Sequence, residues 1–506
     1  MKHKVDPRQN SLFDSERQNF SRVGHDRLER GWQGIFRRSL LAVMPADKLA
    51  KEFSDDAGRL TKELFSMAGL VVIAEMRGWT SREAADAYMF DLSVQHALNV
   101  GHHAVELSYR TVERYQRLFR EQELAQGVFE RVTKTLADEL QIEVDKQRLD
   151  STHLFSDMAL LSRTQMMAVC IRRFLVQLKR HQNGEYAALD TQVRQRCMAS
   201  DKRLFSQAPP EGDARARLRQ RVAEDLLMLI DRFAEHPLIA GMGSYKAMVR
   251  VFGEQCEVVG GKVALRKKTG GRTMQNPSDP DATYDGHKGK GYQVQLSETC
   301  HPDNPVQLIT CAIPQTAADE DGDALPLVVD RLEQSGLKPG EILADTLYGS
   351  DDNQQLCEGK GIDLVAPVRG PAPKKNLFPA TAAQKRLALR RAAEKTEEWQ
   401  QAYRLRAGIE STNSGLKRRM ELGKLRVRGK KSVFNVVLLK ATGWNIFRAA
   451  AAMVCRAKRT IPAKTAAPGA ALSLLFGLLG RGAYPQGTRC DFRFRWQIKS
   501  PGLLAA

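Results

Sequence analysis

Residues 403–417 read YRLRAGIESTNSGLK, and this stretch decides how the rest of the chain is interpreted. On an α-helix, at about 100° per residue, four of its side chains fall within an arc of about 60°: Tyr403, Arg406, Glu410 and Lys417. A carboxylate flanked by cations on one face suits a metal ion held beside a phosphate backbone. The alternative is a solvated amphipathic helix with one salt bridge, and the helical geometry alone does not separate the two.

The spacing of these four residues resembles the signature of bacterial insertion-sequence DDE transposases, which is Tyr, two residues, Arg, three residues, Glu, six residues, Lys. The resemblance implies an α/β fold with an RNase H-like core, in which helices flank a mixed sheet. It also implies that Glu410 is the third acidic ligand of a catalytic metal pair. Two further acids should then lie upstream, each at the end of a strand.

The second of these acids is predicted at Asp345. Ile342, Leu343 and Ala344 form a short apolar run that predicts a buried strand, and Asp345 follows it directly. The continuation TLYGS resembles the family's second catalytic motif, with Ser350 expected to cap the next helix. Asp351 and Asp352 are rival acids, but Asp residues at a helix N-terminus usually serve the cap and the helix dipole.

The first acid is predicted at Asp150, within the apolar-containing stretch 141–155 that we expect to form a central strand. Asp150 is followed by Ser151 and Thr152, which resembles the small residue and Thr that follow the family's first Asp. Asp145 and Asp157 compete for the role. Asp145 lacks this continuation, and Asp157 falls in the predicted turn to the next helix.

The resemblance assigns two kinds of role to these residues. Asp150, Asp345 and Glu410 are expected to be catalytic and to bind two Mg²⁺ ions, with Mn²⁺ able to substitute, because hard cations prefer oxygen ligands. Tyr403, Arg406 and Lys417 cannot ligate Mg²⁺ as a neutral phenol and two cations, and we expect them to hold the DNA strand. The stretch 404–431 adds support, since it contains ten Lys and Arg residues against two Glu.

Composition narrows the class of partner and the compartment. The chain of 506 residues has 78 Lys and Arg against 59 Asp and Glu, a formal charge of +19, which favours a polyanion such as DNA. Ribosome-associated and membrane-surface proteins share this bias. The eight cysteines form no CxxC pair, and no apolar run is long enough to span a bilayer. We therefore expect a cytoplasmic, nucleoid-associated protein without a membrane partner.

The pattern along the chain predicts six regions: a flexible arm (1–30), a helical N-terminal DNA-binding domain (31–138), the first part of the catalytic core (139–157), a helical insertion (158–255), the remainder of the core (256–454) and a flexible tail (455–506). Instead of binding DNA, the N-terminal helices could serve only as a structural domain that covers the core. The insertion is inferred because too many residues separate Asp150 from Asp345 for three strands and their turns. Contacts to DNA, contacts to a second protomer and simple packing are equally open for it.

Two details of the core can be tested by a structure. Tyr292, Val294 and Leu296 alternate with polar residues, which predicts a half-buried strand over 292–299. A long helical pattern begins near Gln384, follows a Pro-rich loop (369–382) and runs into the signature. Residues 434–454 are apolar and are expected to form a helix on the sheet.

The predicted function is that of a DDE transposase, which cleaves DNA at insertion-sequence ends and joins the 3′-OH ends to target DNA by two-metal chemistry. Its expected partners are the terminal inverted repeats, the target DNA and a second copy of the chain in a synaptic complex. Two alternatives remain, an RNase H-like nuclease without strand transfer and a DNA-binding regulator that has lost catalysis.

Overall fold

The protein is described here from a computed structural model, which covers residues 1–9, 20–101, 106–198, 212–371 and 381–460. Residues 1–454 form one compact unit. Most of the expected Pro-rich loop (372–380) and of the expected tail (461–506) lies outside the described residues. Within the described ranges, no helix combines the length and the apolar character needed to cross a membrane.

The centre of the fold is a mixed β-sheet. The strands are β1 Lys146–Leu154, β2 Cys256–Val259, β3 Lys262–Leu265, β4 Thr283–Asp285, β5 Gly289–Thr299, β6 Ile309–Thr316, β7 Glu341–Leu343 and β8 Asp363–Val365. β2 and β3 form a separate antiparallel pair. The central sheet has the order β6-β5-β1-β7-β8, and β4 pairs with the beginning of β5. β1, β5 and β6 are antiparallel, whereas β1, β7 and β8 are parallel. This arrangement confirms the predicted RNase H-like α/β fold.

Helices surround this sheet. Those before β1 are α1 Arg22–Arg30, α2 Trp32–Ile35, α3 Ala46–Ala50, α4 Leu64–Arg77, α5 Ser81–Phe90, α6 Leu92–Leu98, α7 Tyr109–Glu121 and α8 Leu124–Leu140. Between β1 and β2 lie α9 Arg163–His181, α10 Asn183–Ala187, α11 Thr191–Cys197, α12 Gly212–Phe233 and α13 Gly243–Gln255. The later helices are α14 Leu325–Gln334, α15 Asp351–Gly359, α16 Ala382–Ala393, α17 Glu397–Arg404, α18 Gly408–Arg419 and α19 Lys430–Thr460.

Local sequence signals account for several helix starts. Thr80 and Glu83 form a reciprocal capping box at α5, and the side chain of Ser108 caps α7. Ser350 caps α15 by accepting a hydrogen bond from the backbone N–H of Asn353, as expected from the sequence. Asp351, one of the rival acids, forms an ion pair with Arg386 at 2.6 Å.

β5 differs from the prediction, because both of its faces are buried. Gln293, Gln295 and Ser297, which the alternating pattern places towards solvent, are at most 1% exposed. β5 lies between β1 and β6, and each polar side chain has a partner, so its burial costs little. Ser297, for example, donates to the side chain of Gln147 on β1 at 2.8 Å. An alternating pattern therefore did not indicate a solvent-facing side here.

Two large hydrophobic cores fill the part of the molecule that the structure describes. One is continuous from the N-terminal helices to the sheet and includes Tyr115, Phe119 and Tyr292, so these helices pack on the sheet. The other lies within the helices between β1 and β2 and includes Phe174 and Phe233. The helices between β1 and β2 therefore have a core of their own.

Part of the expected flexible arm is folded. Residues 22–30 form α1, in which Leu28 is buried. The first residues lie along the segment before α4, where the backbone N–H groups of Thr61 and Leu64 donate to the carbonyls of Met1 and His3. Polar composition concealed these contacts because they are made mainly by the backbone.

The signature stretch is two helices rather than one. A 3₁₀ turn over Leu405–Ala407 separates α17 from α18. The carbonyl of Leu405 accepts a hydrogen bond from Nη1 of Arg148 at 3.0 Å, so the chain bends towards β1 at this point. The predicted single helical face is therefore interrupted between Tyr403 and Glu410.

Candidate active site

The three predicted acids come from three elements around one edge of the sheet. Asp150 lies in the middle of β1, where the sequence placed it at a strand end. Asp345 follows β7, which is the parallel neighbour of β1. Glu410 lies in the first turn of α18. β1 continues past Asp150 because residues 151–154 pair with residues 292–295 of β5.

The guanidinium of Arg406 brings these acids into one cluster. Its Nη2 lies 3.6 Å from Oδ1 of Asp150 and 4.0 Å from Oδ2 of Asp345. Its Nη1 lies 4.0 Å from Oε1 of Glu410. One half-buried cation therefore contacts all three carboxylates, although 195 positions separate Asp150 from Asp345 and 65 separate Asp345 from Glu410. The sequence assigned Arg406 to a DNA phosphate, whereas in the protein alone its charge is directed at the acids.

Asp150 has the most perturbed environment of the three acids. Burial raises the pKa of its carboxyl to about 6, although the charge of Arg406 acts in the opposite direction. The nearby charges of Asp345 and Asp321 raise the pKa of Asp150 further. The side chain of Asn413 donates a hydrogen bond to Oδ2 of Asp150 at 3.1 Å and fixes its orientation.

The other two acids are more accessible. The side chain of Asp345 accepts a hydrogen bond from the backbone N–H of Leu347 at 2.8 Å and starts a short 3₁₀ turn. Its side chain is 28% exposed, against 72% for Glu410. The cluster therefore opens to solvent on the side of α18, where a large substrate has access.

The donor chemistry of this cluster fits a hard divalent cation. Among the residues that the structure describes, no group of three His, Cys, Asp or Glu side chains is close enough to hold a metal as it stands. The positive charge of Arg406 lies among the carboxylates and reduces their mutual repulsion, which a metal ion would otherwise have to do. Nε of Arg406 and Oδ1 of Asn413 are buried without a hydrogen-bond partner in the described ranges, which leaves both able to bind a ligand.

Tyr403 and Lys417 have different surroundings. Tyr403 stacks on Trp399, with ring centroids 4.8 Å apart, in a small apolar cluster with Leu343 of β7. Lys417 is exposed near the end of α18 and forms no ion pair with any described residue. Tyr403 is therefore held by packing, whereas the ammonium of Lys417 is available to an anion.

A buried polar network beside Asp150 was not predicted from the sequence. Asp321, only 5% exposed, accepts hydrogen bonds from Ser151 at 2.9 Å, from Lys288 at 2.7 Å and from Gln295 at 3.0 Å. Tyr348 donates to the other end of the Gln295 amide. The network therefore joins Ser151, next to Asp150, to Tyr348, three residues after Asp345. Asp321 lies in the acidic run DEDGD, and such a run usually indicates a solvated loop.

A second buried network attaches α18 to the sheet. Glu298 of β5 is fully buried and accepts hydrogen bonds from Arg148 of β1, from Arg448 of α19 at 2.9 Å and from Thr412 of α18 at 2.6 Å. Arg148 also donates to the carbonyl of Leu405. Two arginines thus compensate one buried carboxylate and fix the position of the helix that carries Glu410.

Comparison with known proteins agrees with this arrangement. Residues 267–446 match the family model described as transposase DDE domain. That region contains Asp345, Glu410 and the signature residues, whereas Asp150 precedes it. Comparisons with curated proteins and with solved structures gave no match. Residues 267–446 are therefore similar to a transposase DDE domain, and this match supports the predicted resemblance to insertion-sequence DDE transposases.

Proposed function

We propose that this protein is a transposase that cleaves DNA at the ends of an insertion sequence and joins the released 3′-OH ends to target DNA. The observation that carries the proposal is the convergence of Asp150, Asp345 and Glu410 on one guanidinium from β1, the end of β7 and α18. Such a convergence of acids from separate elements is expected of a metal-dependent phosphodiester site.

Asp150, Asp345 and Glu410 would hold two Mg²⁺ ions, and Mn²⁺ should substitute. Bound there, the ions would activate the attacking oxygen and stabilise the leaving 3′ oxygen. The carboxylates supply the oxygen ligands and the negative charge, and Asn413 orients Asp150. Release from the acids would free Arg406 to contact a phosphate, which reconciles its position here with the role predicted from the sequence.

The residues around the acids support DNA as the substrate. Lys417 forms no ion pair with any described residue, although the charge of Asp150 acts on it, and its exposed ammonium could contact a phosphate beside the acids. Arg418, Arg419 and Lys424 follow it and are exposed. Tyr403 presents an aromatic ring, partly exposed and stacked on Trp399, that would pack on a sugar or a displaced base.

The test uses DNA carrying the inverted repeats that flank the gene, with Mg²⁺ present. Asp150→Ala, Asp345→Ala and Glu410→Ala should each abolish nicking and keep end binding largely intact, because each removes a metal ligand and no phosphate contact. Asp352→Ala is the matched control: it removes an exposed acid seven residues after Asp345, outside the cluster, and should nick like the wild type.

Three outcomes would contradict parts of the proposal. A variant of the three acids that nicks like the wild type shows that its residue is misassigned. Nicking without any joined product in the presence of target DNA indicates a nuclease on the same fold. End binding by the wild-type protein without nicking in Mg²⁺ or Mn²⁺ indicates a regulator that has lost catalysis.

A further inference from the structure

A polar pocket lies where the N-terminal helices meet the chain that follows the signature. Its volume is about 270 Å³, and it is lined by α4, α5, α7, α19 and the loop over residues 421–427. The charged groups that face it are Glu75 of α4, Arg120 of α7, Glu421, Lys424 and Arg426 of the loop, and Lys440 of α19. None of these residues belongs to the acidic cluster described above.

Lys440 is the unusual member of this set. It is only 5% exposed, yet its ammonium makes no hydrogen bond and no ion pair within 4.0 Å in the part of the chain that the structure describes. The stem of Lys440 is buried, whereas its ammonium reaches the accessible space of the pocket. A cation on a largely buried side chain is usually paired. The pocket therefore contains an ammonium that has no ion-pair partner among the described residues.

The other charges of the pocket do not supply the missing partner. Glu421 is engaged by Arg426 at 3.0 Å, and Arg426 also donates to the carbonyl of Gly78. Glu75 lies beyond ion-pair distance of Lys440, and burial raises its pKa while lowering that of Lys440. Four cations face two carboxylates, so an anion would improve the balance of charge.

We propose that this pocket binds a phosphate group of the DNA backbone, with Lys440, Arg120 and Lys424 as its cationic contacts. The inference rests on the proposed function for its choice of DNA as the source of the phosphate. Lysine and arginine side chains are the usual partners of backbone phosphates, and such contacts position the duplex without reading its sequence.

The connection of the pocket to the active site favours DNA over a free anion. The loop over 421–427 begins two residues after α18, the helix of Glu410. Phe155, directly after β1, exchanges backbone hydrogen bonds with this loop, as its N–H donates to Gly423 and its carbonyl accepts from Leu425. A phosphate bound in the pocket would therefore be linked through two short paths to Asp150 and Glu410, as expected of a strand that continues into the site.

The first experiment compares Lys440→Met with the wild type in fluorescence anisotropy on duplex DNA over a range of salt concentrations. Loss of one phosphate contact should lower the log–log salt slope by about 0.9 and weaken binding. Lys338→Gln is the control, because it removes one positive charge from a lysine paired with Glu333 away from the pocket. Equal slopes for Lys440→Met and the wild type, or an equal change in the control, would overturn the inference.

Thermal unfolding separates this role from a structural one. Methionine fills the space of the lysine stem and removes a desolvated charge, so the variant should unfold at the wild-type temperature or above it. If Lys440 serves only to compensate Glu75, the variant should instead unfold at a lower temperature with an unchanged salt slope. Lys424→Gln, on the exposed rim, should lower the slope without any risk to folding.

Inorganic phosphate provides an arm that is independent of DNA. At matched ionic strength, phosphate should raise the unfolding temperature of the wild type more than that of Lys440→Met, because ligand binding stabilises the folded state. If phosphate stabilises the wild type more than Lys440→Met, but the protein neither binds nor nicks DNA, the pocket binds free phosphate and the proposed function is wrong. If DNA is nicked, but neither the salt slope of DNA binding nor the stabilisation by phosphate depends on Lys440, the pocket is not a phosphate site and the proposed function is unaffected.

Discussion

At the scale of single residues, Arg406 and Asp150 define the electrostatics of the site. Arg406 neutralises part of the charge of three carboxylates, yet burial keeps the pKa of Asp150 raised to about 6. Asp150 is thus partly protonated near neutral pH when no metal is bound. A divalent cation would compete with that proton, so proton release should accompany metal binding.

This environment predicts a pH-dependent effect of Asp150→Asn on stability. The folded protein holds the Asp150 proton more tightly than the unfolded chain, whose carboxyl has the ordinary pKa of 3.8. The contribution of Asp150 to stability is therefore fully present below about pH 4 and is lost as the pH rises through about 6. Asn imitates the protonated form and avoids that loss, which amounts to at most about 3 kcal/mol.

The measurement is the difference in unfolding temperature between Asp150→Asn and the wild type from pH 4 to pH 7, without divalent metal. The variant should gain relative stability across this range, and added Mg²⁺ should restore the wild type but not the variant. A difference that is constant with pH would show that the pKa of Asp150 is not raised in the folded protein.

The three acids could be proposed from their local sequence because each one sits in a short, recognisable context. The position of Arg406 among the acids could not, because it depends on the direction of its side chain after the 3₁₀ turn. The role of Asp321 was also hidden from the sequence. Its burial depends on hydrogen bonds from Ser151, Lys288 and Gln295, which are distant from it in the chain.

At the scale of elements, the approach of α18 to β1 depends on Gly408. A Cβ atom on Gly408 would lie 1.8 Å from Nη1 of Arg148 and 2.6 Å from its Cζ. Arg148 cannot move away easily, because it is bonded to the fully buried Glu298 and to the carbonyl of Leu405. Glycine is therefore required at this position for space rather than for its backbone conformation.

Gly408→Ala should consequently lower both stability and nicking. Overpacking of this kind costs about 1–3 kcal/mol, and displacement of α18 would also move Glu410 away from Asp150 and Asp345. Gly253→Ala is the matched control, because Gly253 also lies within a helix and its Cβ would meet no atom within 4 Å. The control should be neutral or stabilising. Chemical denaturation and the nicking assay on both variants check this, and a neutral Gly408→Ala would show that α18 can shift without cost.

Two predictions of secondary structure and burial were wrong, because tertiary contacts outweighed the local sequence pattern. The signature is helical on both sides of the 3₁₀ turn, as its periodicity predicts. Within the turn, however, Arg148 donates a hydrogen bond to the backbone carbonyl of Leu405. The alternation of β5 indicated a solvated face, but Gln293 donates a hydrogen bond to the carbonyl of Asp319 and Gln295 donates one to Asp321. These acceptors lie 26 positions further along the chain, so no local pattern reveals them.

At the scale of the whole molecule, the two hydrophobic cores are the main feature. The strands and the N-terminal helices share one core, which contains Phe129, whereas the insertion builds another, which contains Phe174. The length between Asp150 and Asp345 predicted an insertion, but not that it would be large enough for its own core. A region with its own core can unfold without exposing the other.

The last prediction follows from this separation. Phe174 and Phe129 are both fully buried, so replacement by alanine should cost about 3–5 kcal/mol at either position. In hydrogen exchange followed by mass spectrometry, Phe174→Ala should increase exchange mainly in peptides from α9, α12 and α13, and leave β1, β5 and α18 protected. Phe129→Ala should do the reverse. Since each variant is the control for the other, an equal rise in exchange throughout the chain in either one would mean that the two cores unfold as a single cooperative unit, and that the insertion stabilises the acidic cluster directly.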